Sequence, residues 1–539
     1  MSYLHFDKAQ MTNLQESLPK EILRTNRSGA YSCSTIVDCN TRKYHGLLVV
    51  PVKELDGGNH VLLSSLDETV IQHGAQFNLG LHKYSGNVFS PNGHKYIRSC
   101  EWEKLPTTIY RVGGVILKKE KVFQHFENRI LIRYTLLDAH SATTLRLRPF
   151  LAFRSVEDCT HENAGASRKY DLIDNGIKTR MYSGYPELMM QLNKKNEFVF
   201  DPAWYRGIEY QKEQELGYEY REDLYVPGYF EFDIKKGESV VFAAGLSELK
   251  TNQMKKIFDH EYDVHVPRTN FQSCLVNAAH QFHYERDGET YIIAGYPWFK
   301  CRARDMFVSL PGLTLAIDEV EYYEKAMKTA VKALNDFMDG TDTNIMMCEM
   351  EKPDVLLWAV WCIQQYSRLV STEAAMEKYG KLVGKIIDFI RQGKHPNLLL
   401  HDNGLLFTNG RNHAVTWMNS EVNGVPVVPR SGYVVEINAL WYDALLFYAE
   451  MLMVKGRHAE AGDYTRLAEL TGKSFKETFL NEHGYLLDYV DEGYTSWEVR
   501  PNMLIASSLE YSPLTTPERK KIFDICTKEL LTPKGMRSL

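Results

Sequence analysis

The sequence predicts a multidomain β + α protein: an antiparallel β-sandwich over residues 1–262 followed by a helical barrel or bundle over 263–539. Three observations lead there. At 539 residues the chain is too long for one ordinary core. The first half alternates in short β-branched and aromatic runs. The second half repeats apolar residues at helical spacing.

The strand-like runs are Ser34–Asp38, Tyr44–Val52, His60–Ser65, Thr108–Leu117, Arg129–Leu137, Thr144–Phe153 and Ser239–Ala244. Turn residues break them, and several alternate, as in Leu145-Arg-Leu-Arg, which is the pattern of an antiparallel sandwich. Segments 157–170 and 205–217 are polar and read as loops or hairpin ends. Val264-His-Val-Pro-Arg-Thr reads as a linker. Helices are predicted at 269–284, 306–318, 321–339, 354–371, 373–393, 436–454, 459–480, 500–510 and 517–531. In the sixth of these, Ile437, Leu440, Trp441, Ala444, Leu445, Tyr448, Met451 and Leu452 follow i, i+3, i+4 spacing. The run 355–363 is apolar nearly all round, as in a helix buried between others. Two connections, 295–305 and 394–435, exceed ordinary loop length, and long connections at one end of a helical barrel are where a site is built.

Composition narrows the partners. Charge is near balance, with 63 basic and 69 acidic residues and no like-charge block, so neither nucleic acid nor an anionic membrane is expected as principal partner. The nine cysteines are scattered without a C-x-x-C, which argues against a disulfide framework and a zinc site. No signal-peptide core opens the chain and no run of about 18 apolar residues occurs, so a reduced cytoplasm is expected. His401 and Asp402 lack a third metal ligand at useful spacing. No cofactor is implied, and the oligomeric state is open.

The chemistry concentrates in Gly295-Tyr-Pro-Trp-Phe-Lys-Cys-Arg-Ala-Arg-Asp-Met-Phe. Arg304 and Asp305 precede an apolar helical run and follow Trp298 and Phe299. Charged groups can take sugar hydroxyls while aromatic faces cover the C–H side of the ring. A surface ion pair with an N-capping Asp is the plainer alternative. Tyr296-Pro-Trp-Phe with Arg304-Asp-Met-Phe and Leu310-Pro-Gly-Leu resembles the catalytic domain of glycogen debranching enzymes of the amylo-α-1,6-glucosidase type. Asn40-Thr-Arg-Lys-Tyr-His-Gly-Leu-Leu, Thr416-Trp-Met-Asn with Pro429-Arg430 to Leu440-Trp441, and Arg500-Pro-Asn502 resemble the same family, in the same order.

That resemblance implies a β-supersandwich joined to an (α/α)6 barrel and hydrolysis of α-1,6-glucosidic branch stubs in glycogen or a related α-glucan by inverting acid–base chemistry. A catalytically impaired glucan-binding homologue and another glucoamylase-like hydrolase are the alternatives. In the family the Arg304–Asp305 pair would grip the released glucose. The family's general acid falls at Asn419, an amide with no proton to give. Glu421 and Glu436 are the alternative carboxyls, the latter also readable as a helix-start charge answering the backbone dipole. Trp298, Trp417, Trp441 and Trp497 are stacking candidates, with Trp441 on a core-like face; Arg430 and Arg500 line the site or form salt bridges. His45 lies in a strand-like run and suits a structural role. Nine helices against a barrel's twelve lead to the expectation of a C-terminally incomplete barrel, with the general base beyond residue 539 and no turnover by this chain alone.

Overall fold

The computed structural model describes residues 2–341 and 344–538. The chain forms two compact units, Met1–Arg286 and Asp287–Leu539.

The first unit is built on two large antiparallel sheets. One has the long strands Asn59–Gln72, Thr143–Ser155 and Arg221–Ile234 side by side. The other centres on Val115–Phe123, Arg129–Asp138 and Ser239–Gly245. Their facing side chains, among them Leu63, Leu147, Ile132 and Phe242, form one core. The alternation of inward apolar and outward polar residues creates that core, as in Thr143–Ser155.

Several local readings change. The segment 108–117 is a hairpin of Pro106–Val112 and Val115–Phe123, turning at Gly113 (φ 56°) and Gly114 (φ 82°). Predicted strand 34–38 lies at Tyr31–Thr35, and Asp38 sits in the following turn. Part of the polar segment 205–217 belongs to the strand Glu197–Glu209, followed by the short helix Gln211–Leu216. A helix at Met254–Val264 ends the stretch expected to be strands and runs into the first residue of the expected linker. It buries Met254 and Phe258 against Leu105, Val122, Leu131, Val241 and Ala243, so one sheet is apolar on both faces. Helix Phe271–Phe282 closes this unit.

Each segment read as helical in the sequence carries an α-helix. The helices of the second unit are α1 (Ala303–Leu313), α2 (Val320–Asp339), α3 (Val355–Leu369), α4 (Thr372–Arg391), α5 (Val435–Val454), α6 (His458–Phe479), α7 (Asn502–Ser508) and α8 (Thr516–Leu530). The helices α1, α3, α5 and α7 pack in succession as an inner layer. Buried side chains on all sides of α3 and α5 reflect that position. By length and apolarity α5 could cross a membrane, although no run of 18 apolar residues interrupts the sequence; here 72% of its apolar window is buried in the protein. Their N-termini share one end, since Arg304 at the start of α1 reaches Asp354 before α3 and Tyr433 before α5 pairs with Val490 before α7. The long connections 293–302, 340–354, 392–434 and 480–501 lie at that end, and the short ones, such as 370–371 and 455–457, at the other.

Candidate functional site

The connections at this end are tied to one another. Ala303 N–H donates to Cys348 C=O at 3.2 Å, joining the first to the second. Lys352 Nζ donates to Ala414 C=O at 3.2 Å, and Asn397 Nδ2 to Glu351 C=O at 2.8 Å, joining the second to the third. A five-stranded sheet joins the third to the fourth, with Tyr433 opposite Phe407 and Val490. Gly432 (φ 91°) makes this possible, since a Cβ there would lie 2.2 Å from Val490 C=O.

The first connection turns tightly, with Phe299 N–H donating to Gly295 C=O at 2.7 Å. The turn leaves Trp298 and Phe299 each 47% exposed. The Arg302 guanidinium lies 4.9 Å from the centre of the Phe299 ring.

Arg304 and Asp305 part company. Arg304 is buried and makes a bidentate pair with Asp354, at 2.8 and 2.9 Å. Asp354 precedes α3 in the N-cap position, but its carboxylate is turned to Arg304 and to Trp358 Nε1 (3.2 Å) and caps nothing. Asp305 stays exposed in the first turn of α1, where Arg302 is the N-cap residue. Partial loss of hydration raises its carboxyl above the usual range; Arg302 and Arg304 oppose this and Glu349 adds to it.

At the starts of α5 and α7 lies a closed charge cluster. The fully buried Arg430 spans two buried carboxylates. It holds both oxygens of Glu436, Nη2 to Oε2 at 2.6 Å, and both of Asp488, at 2.9 and 2.7 Å, and donates to Thr416 Oγ1 at 3.1 Å. Arg500 and Asn502 Nδ2 (2.8 Å) also donate to Asp488. Trp417 Nε1 donates to Asn502 Oδ1 at 2.8 Å. Two guanidiniums thus balance two carboxylates. Burial raises the Glu436 carboxyl and Asp488 adds to that, while Arg430 pulls it back.

Of the residues singled out in the sequence, Trp417, Arg430, Glu436 and Arg500 therefore meet in one network. Glu436 faces Arg430 with no exposed surface. Asn419 is exposed, and Glu421 is exposed at the base of the hairpin Glu421–Val422/Val425–Pro426, accepting from Ala414 N–H at 3.4 Å. Trp441 is core and Trp497 is 47% exposed. In the first unit His45 is fully buried, accepting from Thr41 N–H at 3.2 Å beside Glu21 at 3.3 Å. His401 bonds Tyr433 Oη at 2.7 Å, and among the described residues no group of three metal-ligating side chains gathers.

Asp354 and Asp488 were not singled out in the sequence. Asp354 carries a local signal, an N-cap-type residue before an apolar helix. Asp488 carries a fainter one, a lone acid inside Tyr485-Leu-Leu-Asp-Tyr-Val.

Comparison with known families gives two matches along this chain: "Glycogen debranching enzyme N terminal" over residues 20–241 and "Amylo-alpha-1,6-glucosidase" over 272–539. The chain belongs to the glycogen debranching enzyme family. As such it is a glycoside hydrolase by family. A bacterial glucoamylase solved in complex with acarbose shares its fold, with a TM-score of 0.51 and 11% identity over 97% of this chain and 80% of that one. No curated protein matches the chain. The sandwich followed by an (α/α)6-type helical domain is thus the fold the sequence predicts.

Proposed function

We propose that this debranching-family protein hydrolyses α-1,6-linked glucosyl stubs on glycogen or a related α-glucan, with inversion. The observation that supports this reading is the sharing of one end of the inner layer by Trp298, Asp305, Trp417 and the Arg430 cluster. Exposed aromatic faces and an exposed carboxylate there suit a terminal hexose, and the glucoamylase of similar fold holds acarbose, a sugar analogue.

Within this reading Asp305 and Trp298 hold the sugar. Arg304, Arg430, Glu436 and Arg500 are positioning residues, since their charges are spent on Asp354, on Asp488 and, for Arg430 and Glu436, on each other. Asn419 has no proton to give and Glu436 is enclosed, which leaves Glu421 as the proton donor among the three candidates. Asn419 favours a second reading, a protein that binds glucan without turnover.

The test is glucose release from a limit dextrin together with calorimetric binding of isomaltose. Release that falls about 100-fold or more in Glu421→Gln supports the first reading, and any release overturns the expectation of an inactive chain. Binding without release supports the second. Absence of both overturns the two together.

A further inference from the structure

We propose that the first unit holds a single small inorganic anion, a halide such as chloride, on the buried guanidinium of Arg24, beside that of Arg268. Arg24 lies on the edge strand Glu21–Thr25, opposite Ser32, and is 4% exposed. Its Nη2 donates to Lys104 C=O at 2.8 Å, but its Nε and Nη1 are buried without any acceptor. Arg268, also 4% exposed, spends Nη1 on Glu103 and Lys104 C=O, both at 3.3 Å. The two cations thus meet at the same carbonyl oxygen. Both also lie against Trp102, 4.8 and 4.3 Å from the ring centre.

Among the described residues no carboxylate pairs with either group. Burying one charge without a partner is costly, and burying two of the same sign side by side is worse. Burial and mutual repulsion lower Arg24, and burial lowers Arg268 to about 10. His265 is pushed down to about 3, first by its own burial and then by Arg24. The region is therefore a positive field with no counter-charge of its own.

A cavity of about 10 Å³ adjoins Arg24, lined by Ser32, Ser34, Lys121 and the apolar Ile22, Phe123 and Ile130. That is room for one water-sized particle and excludes phosphate or an organic acid. No acid lines this cavity; Asp38, which Lys121 contacts, is shared with Lys119 (2.9 Å). Water could accept from Arg24 but would leave the charge uncompensated; a halide does both.

Crystals grown or soaked in sodium bromide test this directly. The expected result is an anomalous bromine peak beside Arg24 Nε and Nη1. Ordinary water density with no anomalous signal overturns the proposal. In solution, replacing potassium gluconate by potassium chloride at constant ionic strength is expected to raise the Tm of the first unit by about 2–4 °C. Phosphate should not reproduce that rise, and Arg24→Gln should abolish it. Equal melting in chloride and gluconate counts against the site. If Arg24→Gln does not fold, the bromide map of the unaltered protein decides.

Discussion

Arg430 in the helical unit and Arg24 in the sandwich face the same problem and meet it differently. Both guanidiniums are buried. Arg430 has six acceptor oxygens from Glu436, Asp488 and Thr416 and needs nothing further. Arg24 has one carbonyl and two idle nitrogens. Asp443, on α5, is a third case: a buried carboxylate that, among the described residues, has no cation in contact and receives Gln364 Nε2 (3.1 Å) and Tyr511 N–H (3.0 Å). An acid so placed can take up a proton. Burial lifts Asp443 to about 6, Glu510 adds to this, and the two hydrogen bonds and the more distant Arg368 oppose it. Arginine has no such escape at neutral pH, so a buried unpaired guanidinium points outward to a ligand where a buried unpaired carboxylate points to its own protonation.

The comparison breaks most readily at Arg430. Arg430→Met leaves Glu436 and Asp488 buried without their shared partner, and the expected loss is about 3–5 kcal/mol in urea unfolding of the helical unit. Adding Glu436→Gln and Asp488→Asn to that variant should recover part of it, because the stranded charges are then gone. A loss under about 1 kcal/mol for Arg430→Met would show that the cluster is not closed in the way its hydrogen bonds describe.

Asp443 sharpens the comparison with pH. A carboxyl whose folded pKa is raised binds its proton more tightly in the folded than in the unfolded chain. Its contribution to stability is therefore full below the unfolded value near 4 and is lost as pH rises through about 6. The difference in unfolding free energy between the unaltered protein and Asp443→Asn should change by about 2–3 kcal/mol from pH 4 to pH 7, in favour of the variant at pH 7. The asparagine Nδ2 can also donate to Gln364 Oε1, which has no partner. Parallel stability curves would mean that Asp443 is solvated more than its burial indicates.

How much of this is legible in the sequence follows from how local each interaction is. The helices were readable because 3.6-residue periodicity is written along one segment, as in Ile437 to Leu452. The strand Glu197–Glu209 was not, since it is half exposed and carries Pro202 and Gly207. At the site, Arg304, Arg430, Glu436 and Arg500 were readable one at a time. Their partners were not. Arg304 turns to Asp354, fifty residues on, rather than to its neighbour Asp305, and Arg430 to Asp488. Periodicity carries no information about pairing across separate connections, and the division between an enclosed charge and an available one depends on that pairing.

That division gives the smallest effects and the sharpest contrast. Asp305 and Trp298 lie exposed at the end where Arg430 is enclosed. Asp305→Asn should cost about 10-fold or more in isomaltose affinity, the worth of a charged hydrogen bond to a hydroxyl. Trp298→Ala should cost about 2–10-fold through lost ring contact. Neither should move the unfolding free energy by more than about 0.5 kcal/mol, since neither removes a buried group. The reverse pattern, lost stability with unchanged affinity, would place Asp305 with Arg304 in the scaffold and leave the sugar to other residues. Separate readouts are needed because a site variant that unfolds the protein also abolishes binding, and Asp305 and Trp298, both exposed, are placed to lose one without the other.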